Sequence, residues 1–241
     1  MSLFAAAFAW LFDAANWAGA NGIPMRTLEH LIYTVVTLIA AGIVGVALGL
    51  YIGHTGKLRG AAVLVTGSLR ALPTLGLLFL FALWLGIGLT PVIIVLAVLA
   101  VPPLLAGTYS GIEAIERSTI DSARAMGMTE WQILSRVEIP LAMPLIVSGV
   151  RSAALQVIAT ATIAAYLPLG GLGRFVFDNL SLRRWDAVIG GAIVVTLLAL
   201  IVDGLFALLE RAVVSKGVRA ARDRGLGEAA TKRKPIAAEA A

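Results

Sequence analysis

The amino-acid sequence predicts an all-α polytopic membrane protein with about five transmembrane helices. Of its 241 residues, 59% are hydrophobic and only 14% are charged, and the mean hydropathy is +0.93. An average soluble domain carries about a quarter of its residues as charged side chains. The apolar residues are also grouped into long runs, and the one long polar interval between them lies within residues 113–140. We therefore expect a helical membrane bundle interrupted by a single polar loop.

Composition excludes several kinds of site. Cysteine is absent, so the chain has neither a disulfide nor a thiolate metal site, and His30 and His54 are its only imidazoles. We expect no bound metal. The formal charge of +5 comes from basic residues in a tail and in loops beside the apolar runs, a pattern of membrane topology rather than of nucleic-acid binding.

Residues 1–28 form the predicted extracytoplasmic N-terminal segment. Phe4, Phe8 and Phe12 recur at helical spacing, as in a helix that lies at a membrane interface. A cleaved signal peptide is the alternative, because residues 18–20 resemble a cleavage site. No Lys or Arg precedes the apolar stretch, however, which favours a retained interfacial helix.

Residues 29–212 form the predicted transmembrane domain. Its apolar runs are long enough to cross a hydrocarbon core. The predicted spans are residues 31–52, 61–88, 90–112, 141–166 and 187–209. The second is long and contains Arg70 and Pro73, so it is expected to be kinked or divided, and a division into two full spans would give six. In the third, Pro102 and Pro103 must bend or interrupt the helix.

Glycine recurs at every fourth residue near the end of the first predicted span. Gly45, Gly49 and Gly53 would form a stripe on one helix face. Such a stripe lets a second backbone approach closely, which is how helices pack in lipid.

Lys and Arg residues set the predicted orientation. Thirteen lie on the side that holds the polar loop and residues 213–241, whereas four lie on the other side. The positive-inside rule then places the polar loop and the C-terminus in the cytoplasm and the N-terminus outside, which needs an odd number of spans. Residues 213–241 are rich in Ala, Arg and Lys, and the prediction for them is a disordered basic tail.

The polar loop itself is predicted to be two short helices. Ser118 and Asp121 have the spacing of a capping box for the first, and Thr129 and Gln132 repeat it for the second. Gly127 lies where a left-handed residue is needed to end the first helix. The first helix would present Ile120, Ala123 and Met126 on one side, and the second Trp131, Leu134 and Ile133.

This loop resembles the EAA loop of permease subunits of bacterial ABC importers, whose pattern is E-A-A, three residues, G, nine residues, I-x-L-P. The match runs through Asp121-Ser122-Ala123, Gly127, Val137, Ile139 and Pro140, with Asp and Ser as mild departures at the first two positions. The resemblance implies a coupling element that docks in a groove of an ATPase subunit. The ATPase-coupling residues that it implies are Asp121, Ser122, Ala123, Gly127, Met128, Trp131 and Pro140.

Other segments resemble the osmoprotectant branch of these permeases, which carries glycine betaine, choline, carnitine or proline. They are ALPTLGLL at residues 71–78, TYSGI at 108–112 and GGLG at 170–173. The resemblance implies a second permease subunit, two ATPase subunits and an extracytoplasmic binding protein. Whether the second permease is an identical chain stays open. The chain has no phosphate-binding loop of its own, so it is expected to be no enzyme and to bind no cofactor, with ATP and Mg on the partner ATPase.

Other functions stay open from the sequence alone. Methionine and other amino-acid permeases share related GGLG turns, and a passive channel or scaffold could use the same spans. An intramembrane enzyme would need a paired acid and base. Trp84, Tyr166 and Trp185 could cage a quaternary ammonium ion or could simply anchor the interface.

Three charges are predicted to lie at membrane depth: Arg70, Arg151 and Asp203. Each is costly there unless it is paired or faces water. Similar depth predicts an intramembrane charge network in which Asp203 neutralises Arg151 or Arg70, with snorkelling of each arginine to the headgroups as the alternative.

Overall fold

A computed structural model describes residues 2–213, and residues 214–241 of the predicted basic tail lie outside the described residues. Within residues 2–213 the regular secondary structure is entirely helical, and there is no strand. This confirms the predicted all-α fold class. The helices are α1 Leu3–Phe12, α2 Ile23–Thr55, α3 Arg59–Arg70, α4 Thr74–Leu85, α5 Leu89–Glu113, α6 Arg117–Ala125, α7 Glu130–Ile133, α8 Ile139–Ala164, α9 Gly173–Leu180 and α10 Trp185–Val213. A 3₁₀ turn follows α1 at Ala14–Trp17, and a π turn at Leu134–Glu138 joins α7 to α8.

Four helices in the described residues are long and apolar enough to cross a membrane: α2, α5, the continuous helix Glu130–Ala164 and α10. The predicted second span is divided, as Arg70 and Pro73 within it suggested. Its halves, α3 and α4, meet at a bend of 88°, so they count as a fifth candidate span only if taken together. Pro73 precedes the first turn of α4, where its missing N–H costs nothing, and this explains why the helix breaks there.

The first membrane helix begins earlier than predicted. Gly22 precedes it and Pro24 occupies its first turn, a position that suits proline, so helix α2 starts at Ile23 within the predicted N-terminal segment. The interfacial helix expected before it is α1. One face of α1 buries Trp10 and Leu11 against α10, while Phe4, Phe8 and Phe12 are exposed.

The centre of the bundle is formed by α2, α5 and α8. The predicted glycine stripe lies on the contact between α2 and α5. A Cβ added at Gly49 would lie 2.6 Å from Thr108 Cβ, and one at Gly53 would lie 2.6 Å from Ile112 Cβ. Across the next contact, a Cβ on Gly107 of α5 would lie 2.6 Å from the Gly149 Cα of α8. The three backbones are therefore packed as closely as glycine allows.

The proline pair does not interrupt α5. Pro103 cannot donate a hydrogen bond to the Leu99 carbonyl, one turn earlier in the helix. That carbonyl accepts a bond of 2.8 Å from Gln156 Nε2 of α8 instead. The polar side chain in the fourth predicted span thus replaces a backbone hydrogen bond that the proline removes.

We call the end of the bundle that carries residues 113–140 the loop end, and the opposite end the far end. Helices α2 and α5 finish at the loop end, where His54 and Glu113 lie, and α8 starts there. The glycine-rich turn before α9 lies at the far end, against the start of α2.

Candidate functional site

The polar loop folds as two short helices around Gly127, as predicted. Gly127 has φ +81°, which ends α6 in the left-handed conformation. At the start of α7 the Gln132 backbone N–H donates to Thr129 Oγ1 at 3.3 Å, and the Thr129 N–H donates to Gln132 Oε1 at 2.8 Å. The predicted second capping box is therefore present.

The predicted first capping box is wrong. Helix α6 begins at Arg117 after Glu116, two residues earlier than a box with Ser118 as its cap requires. Ser118 consequently lies inside the first turn, where its hydroxyl donates to Glu116 Oε2 at 3.4 Å. Asp121 is exposed and lies 3.5 Å from the Arg124 guanidinium, so it does not reach back to Ser118.

Ala123 lies inside the loop and not on its outer surface. It is 2% exposed and packs with Ile120 and Ile133 in a small apolar core of the loop. The sequence placed Met126 on the same side as Ala123, but Met126 and Trp131 point outward, with exposures of 76% and 74%. The outer apolar surface of the loop is therefore formed by Met126 and Trp131, because the apolar side of α6 packs against α7.

The other predicted coupling residues are distributed over the loop. Ser122 is exposed and its hydroxyl donates to the Ser118 carbonyl at 2.7 Å. Met128 is partly buried against the loop core, and Pro140 is exposed in the first turn of α8. The π turn between α7 and α8 makes the second loop helix continuous with a membrane helix, so movement of α7 would be carried directly into α8.

A polar cluster that the sequence analysis missed fastens this loop to α2. His54 Nδ1 lies 2.6 Å from Glu138 Oε2, and His54 Nε2 lies 3.4 Å from Glu130 Oε2. Glu130 also accepts from the Arg124 side chain at 2.9 and 3.1 Å, and this bidentate bond raises the pKa of Arg124. His54 thus faces one carboxylate from each of its ring nitrogens.

A second polar cluster holds the glycine-rich turn at the far end. Glu29 Oε2 accepts from the Gly171 N–H at 2.8 Å and from Arg26 Nη1 at 2.9 Å. His30 is fully buried; its Nε2 lies 3.0 Å from the Ile158 carbonyl, and its Nδ1 accepts from the Leu172 N–H at 3.4 Å. Tyr33 donates to the Leu169 carbonyl. The GGLG signature is thus a turn tied by its backbone to the first turns of α2.

The structure brings two of the three predicted membrane charges together. Arg151 donates to Asp203 through Nε at 2.6 Å and through Nη2 at 2.7 Å, a bidentate pair that joins α8 to α10. Glu210, which the sequence analysis did not include, lies 3.7 Å from Arg151 Nη1. Arg70 is not in this network: among residues 2–213 it has no ion-pair or hydrogen-bond partner. It lies in a groove formed with α5 and α8.

The three outer aromatic residues do not form a cage with one another. Trp84, Tyr166 and Trp185 are all exposed. The Tyr166 ring makes edge-to-face contacts with Phe79 and Phe177, each at a centroid distance of 5.4 Å. No group of three or more His, Asp or Glu side chains within residues 2–213 is arranged to hold a metal ion.

Residues 23–215 match the family described as binding-protein-dependent transport system inner membrane component. The chain belongs to this family. It is a multi-pass membrane permease, and the family predicted from the sequence is confirmed.

Named relatives in this family are similar over most of their length. A carnitine transport permease protein of Listeria monocytogenes is 38% identical over 85% of this chain and 94% of its own. A glycine betaine/carnitine/choline transport system permease protein of Bacillus subtilis is 36% identical over 82% of this chain and 91% of its own. A choline transport system permease protein of the same organism is 34% identical over 80% of this chain and 89% of its own.

The fold of the permease is also that of a solved transporter. A chain in an inward-facing structure of the MetNI methionine ABC transporter superposes with a TM-score of 0.71, at 22% identity, over 80% of this permease and 97% of that chain. At this identity the likeness is one of fold.

Proposed function

We propose that this permease is the membrane subunit of an ATP-driven importer for a small osmoprotectant of the glycine betaine, carnitine and choline class. The observation that carries the substrate class is the identity of 34–38% with permeases named for these solutes, over 80% or more of this chain. The permease has no hydrolytic activity of its own. ATP and Mg are bound by a partner ATPase, and a separate binding protein delivers the solute.

The loop end supports docking of that ATPase. Met126 and Trp131 form an apolar surface beside the exposed charges of Asp121 and Arg124, and the loop core behind them is already filled. A helix that offers an exposed apolar face fits a groove on a partner. The excess of Lys and Arg on this side supports a cytoplasmic loop end, where ATP is available.

A methionine or other amino-acid permease is the second candidate. It is favoured by the fold of the methionine transporter, but that likeness comes at 22% identity, whereas the osmoprotectant permeases exceed 30%. A passive channel is a weaker candidate, because it has no use for a docking loop.

Uptake by the complete complex tests the proposal. The permease, its ATPase and its binding protein are reconstituted in liposomes, and uptake of labelled glycine betaine, carnitine, choline and methionine is measured with and without internal ATP. We expect ATP-dependent uptake of at least one of the first three. Uptake of methionine alone, or uptake that does not require ATP, would contradict the proposal.

A matched pair of tryptophan variants tests the docking surface separately. Trp131 and Trp84 are 74% and 78% exposed, at opposite ends of the molecule. Trp131→Ala is expected to lower recovery of the purified ATPase on the permease about tenfold, since an exposed aromatic anchor is a typical binding hot spot. Trp84→Ala should leave recovery unchanged, and equal recovery with both variants would reject Met126 and Trp131 as the docking surface.

A further inference from the structure

A groove with one arginine and three serines in its lining opens between α3, α5 and α8 in the half of the bundle nearer the loop end. Its volume is about 300 Å³, and its polar lining consists of Arg70, Ser110, Ser148 and Ser152. Gly107 and Gly149 form its floor, where α5 and α8 touch backbone to backbone. Without side chains on that floor, the groove stays open above the helix contact.

The polar groups of the groove have no partners within the described part of the chain. Neither Arg70 nor any of the three serine hydroxyls makes a hydrogen bond or ion pair there. Several other helical hydroxyls bond back to their own helix, as Thr160 does to the Gln156 carbonyl and Ser135 to the Trp131 carbonyl, both at 2.7 Å, although the buried hydroxyls of Thr37 and Thr108 do not. The serines of the groove are instead available to a molecule within it.

A second groove of nearly the same size shows that this polarity is not general. It has a volume of about 290 Å³ and lies on the outer face of α10. Its lining is Val188, Ile189, Ala192, Ile193, Thr196 and Leu197, and the one hydroxyl there, of Thr196, donates to the Ala192 carbonyl at 2.8 Å. That lining suits lipid chains, whereas the Arg70 groove offers a cation and three free hydroxyls.

The position of Arg70 makes an empty groove costly. Helix α3 starts at Arg59 near the loop end, so Arg70 lies roughly 16 Å further along the helix, at 1.5 Å per residue. Arg70 shares the groove with Gly107 and Gly149, which lie within two candidate membrane spans, and an arginine there requires water or an anionic partner. The guanidinium binds a carboxylate bidentately, and nearby hydroxyls can donate to the same oxygens.

We propose that the Arg70 groove is a transient binding site for the carboxylate of the transported solute, with Arg70 as its cationic ligand and Ser148 and Ser152 as hydrogen-bond donors. This inference rests on the proposed function. It predicts discrimination within the osmoprotectant class: glycine betaine and carnitine carry a carboxylate, whereas choline carries a hydroxyl in its place. A lipid phosphate offers the same anionic chemistry, so the test must separate the two sources.

The experiment measures maximal uptake of glycine betaine and of choline by the reconstituted complex carrying Arg70→Gln, Arg70→Lys or Ser148→Ala with Ser152→Ala. We expect Arg70→Gln to lower the glycine betaine rate about tenfold relative to the choline rate, the effect of losing about 1.4 kcal/mol of charge-assisted hydrogen bonding. Arg70→Lys should recover part of the loss, because it keeps the charge. Thr196→Val in the apolar groove is the matched control, and its ratio should equal that of the wild type.

The outcomes are distinguishable. If the wild-type complex imports glycine betaine and choline but Arg70→Gln lowers both rates equally, the groove is not a carboxylate site and the proposed function stands. If that equal loss occurs only in vesicles that contain phosphatidylglycerol, and not in phosphatidylcholine alone, the ligand is the headgroup of an anionic lipid and the proposal is overturned. A wild-type complex that imports neither solute overturns the proposed function, and the assignment of the groove with it.

Discussion

Helix α2 holds a loop at each of its ends, and the two attachments are built differently. At the far end, Glu29, His30 and Tyr33 bind backbone groups of residues 169–172. At the loop end, His54 binds the side chains of Glu138 and Glu130, and Glu130 is 56% exposed. Backbone groups buried without partners are costly, whereas the exposed contact to Glu130 contributes little, and Glu138, which is 6% exposed, can regain water if the loop moves away from α2. The far-end attachment therefore fixes the fold, and the loop-end attachment can be released and remade.

The difference suits the two ends of an importer driven from one side. A loop that transmits movement from an ATPase must change its position relative to the bundle, so a permanent attachment would block it. The turn at the far end has no such requirement within this chain. Variants at the two ends should accordingly separate stability from coupling, and the expected effects on stability decrease in the order given below.

The largest loss of stability is expected from Gly173→Ala at the far end. A Cβ at Gly173 would overlap the Thr162 carbonyl oxygen and lie 2.7 Å from Ala165 Cβ, so the turn could not close on α8. We expect the free energy of unfolding to fall by about 3 kcal/mol, the upper part of the usual range for overpacking. Thermal unfolding in detergent measures it. Gly204→Ala, with no atom near its added Cβ, is the control, and equal melting temperatures would show that the turn is not tightly packed.

His30→Leu should cost somewhat less. Leucine fills a similar volume but leaves the Leu172 N–H and the Ile158 carbonyl without the bonds that His30 makes. The expected loss is about 2 kcal/mol, typical of an unsatisfied buried polar group. The same unfolding measurement checks it, and uptake by the folded fraction should be close to that of the wild type. Reduced uptake without reduced stability would show that the far-end attachment serves transport and not the stability of the fold.

The Arg151 and Asp203 pair tests whether a partly exposed charge pair contributes as much to stability as the far-end attachment or as little as the loop-end attachment. Each side chain is 31% exposed, and the bond is bidentate. We expect Arg151→Gln and Asp203→Asn each to lower stability by about 1–2 kcal/mol, and the double variant to lose less than the sum of the two. A double-mutant cycle of thermal stability measures the coupling. Strictly additive losses would reject the pair as a tie between α8 and α10.

Which features of the fold and of the site could be predicted from the sequence depends on how far apart in the chain the interacting residues lie. The spans follow from local apolar runs, because every backbone group in lipid must be satisfied within a helix. Gly127 and the Thr129 capping box are likewise local patterns. The meeting of Arg151 with Asp203, 52 residues apart, was suggested by their similar depth in the membrane.

Contacts without a local pattern could not be predicted. His54 and Glu138 are 84 residues apart and Glu29 and Gly171 are 142 apart, and no periodicity records either contact. Ala123 was grouped correctly with Ile120, but only the position of α7 determines that this apolar side of α6 is covered within the loop. The divided second span was suggested by Pro73, but the angle of the bend depends on packing against α5.

The smallest loss of global stability is expected from His54→Leu, which is the same substitution as His30→Leu at the other end of α2. It removes the contact to Glu138, whose side chain is 6% exposed, and an unpaired buried carboxylate is costly. The loop can hydrate that carboxylate by moving away from α2, so the free energy of unfolding should fall by less than about 1 kcal/mol. The melting temperature should therefore change little. The displaced loop should instead show faster hydrogen exchange over residues 117–138 and at least threefold lower ATP-dependent uptake.

Combining His54→Leu with Glu138→Leu replaces both polar partners by apolar ones, so protection of the loop from hydrogen exchange should return. Failure of protection to return, or a fall in melting temperature as large as that of His30→Leu, would show that the two ends of α2 are attached in the same way.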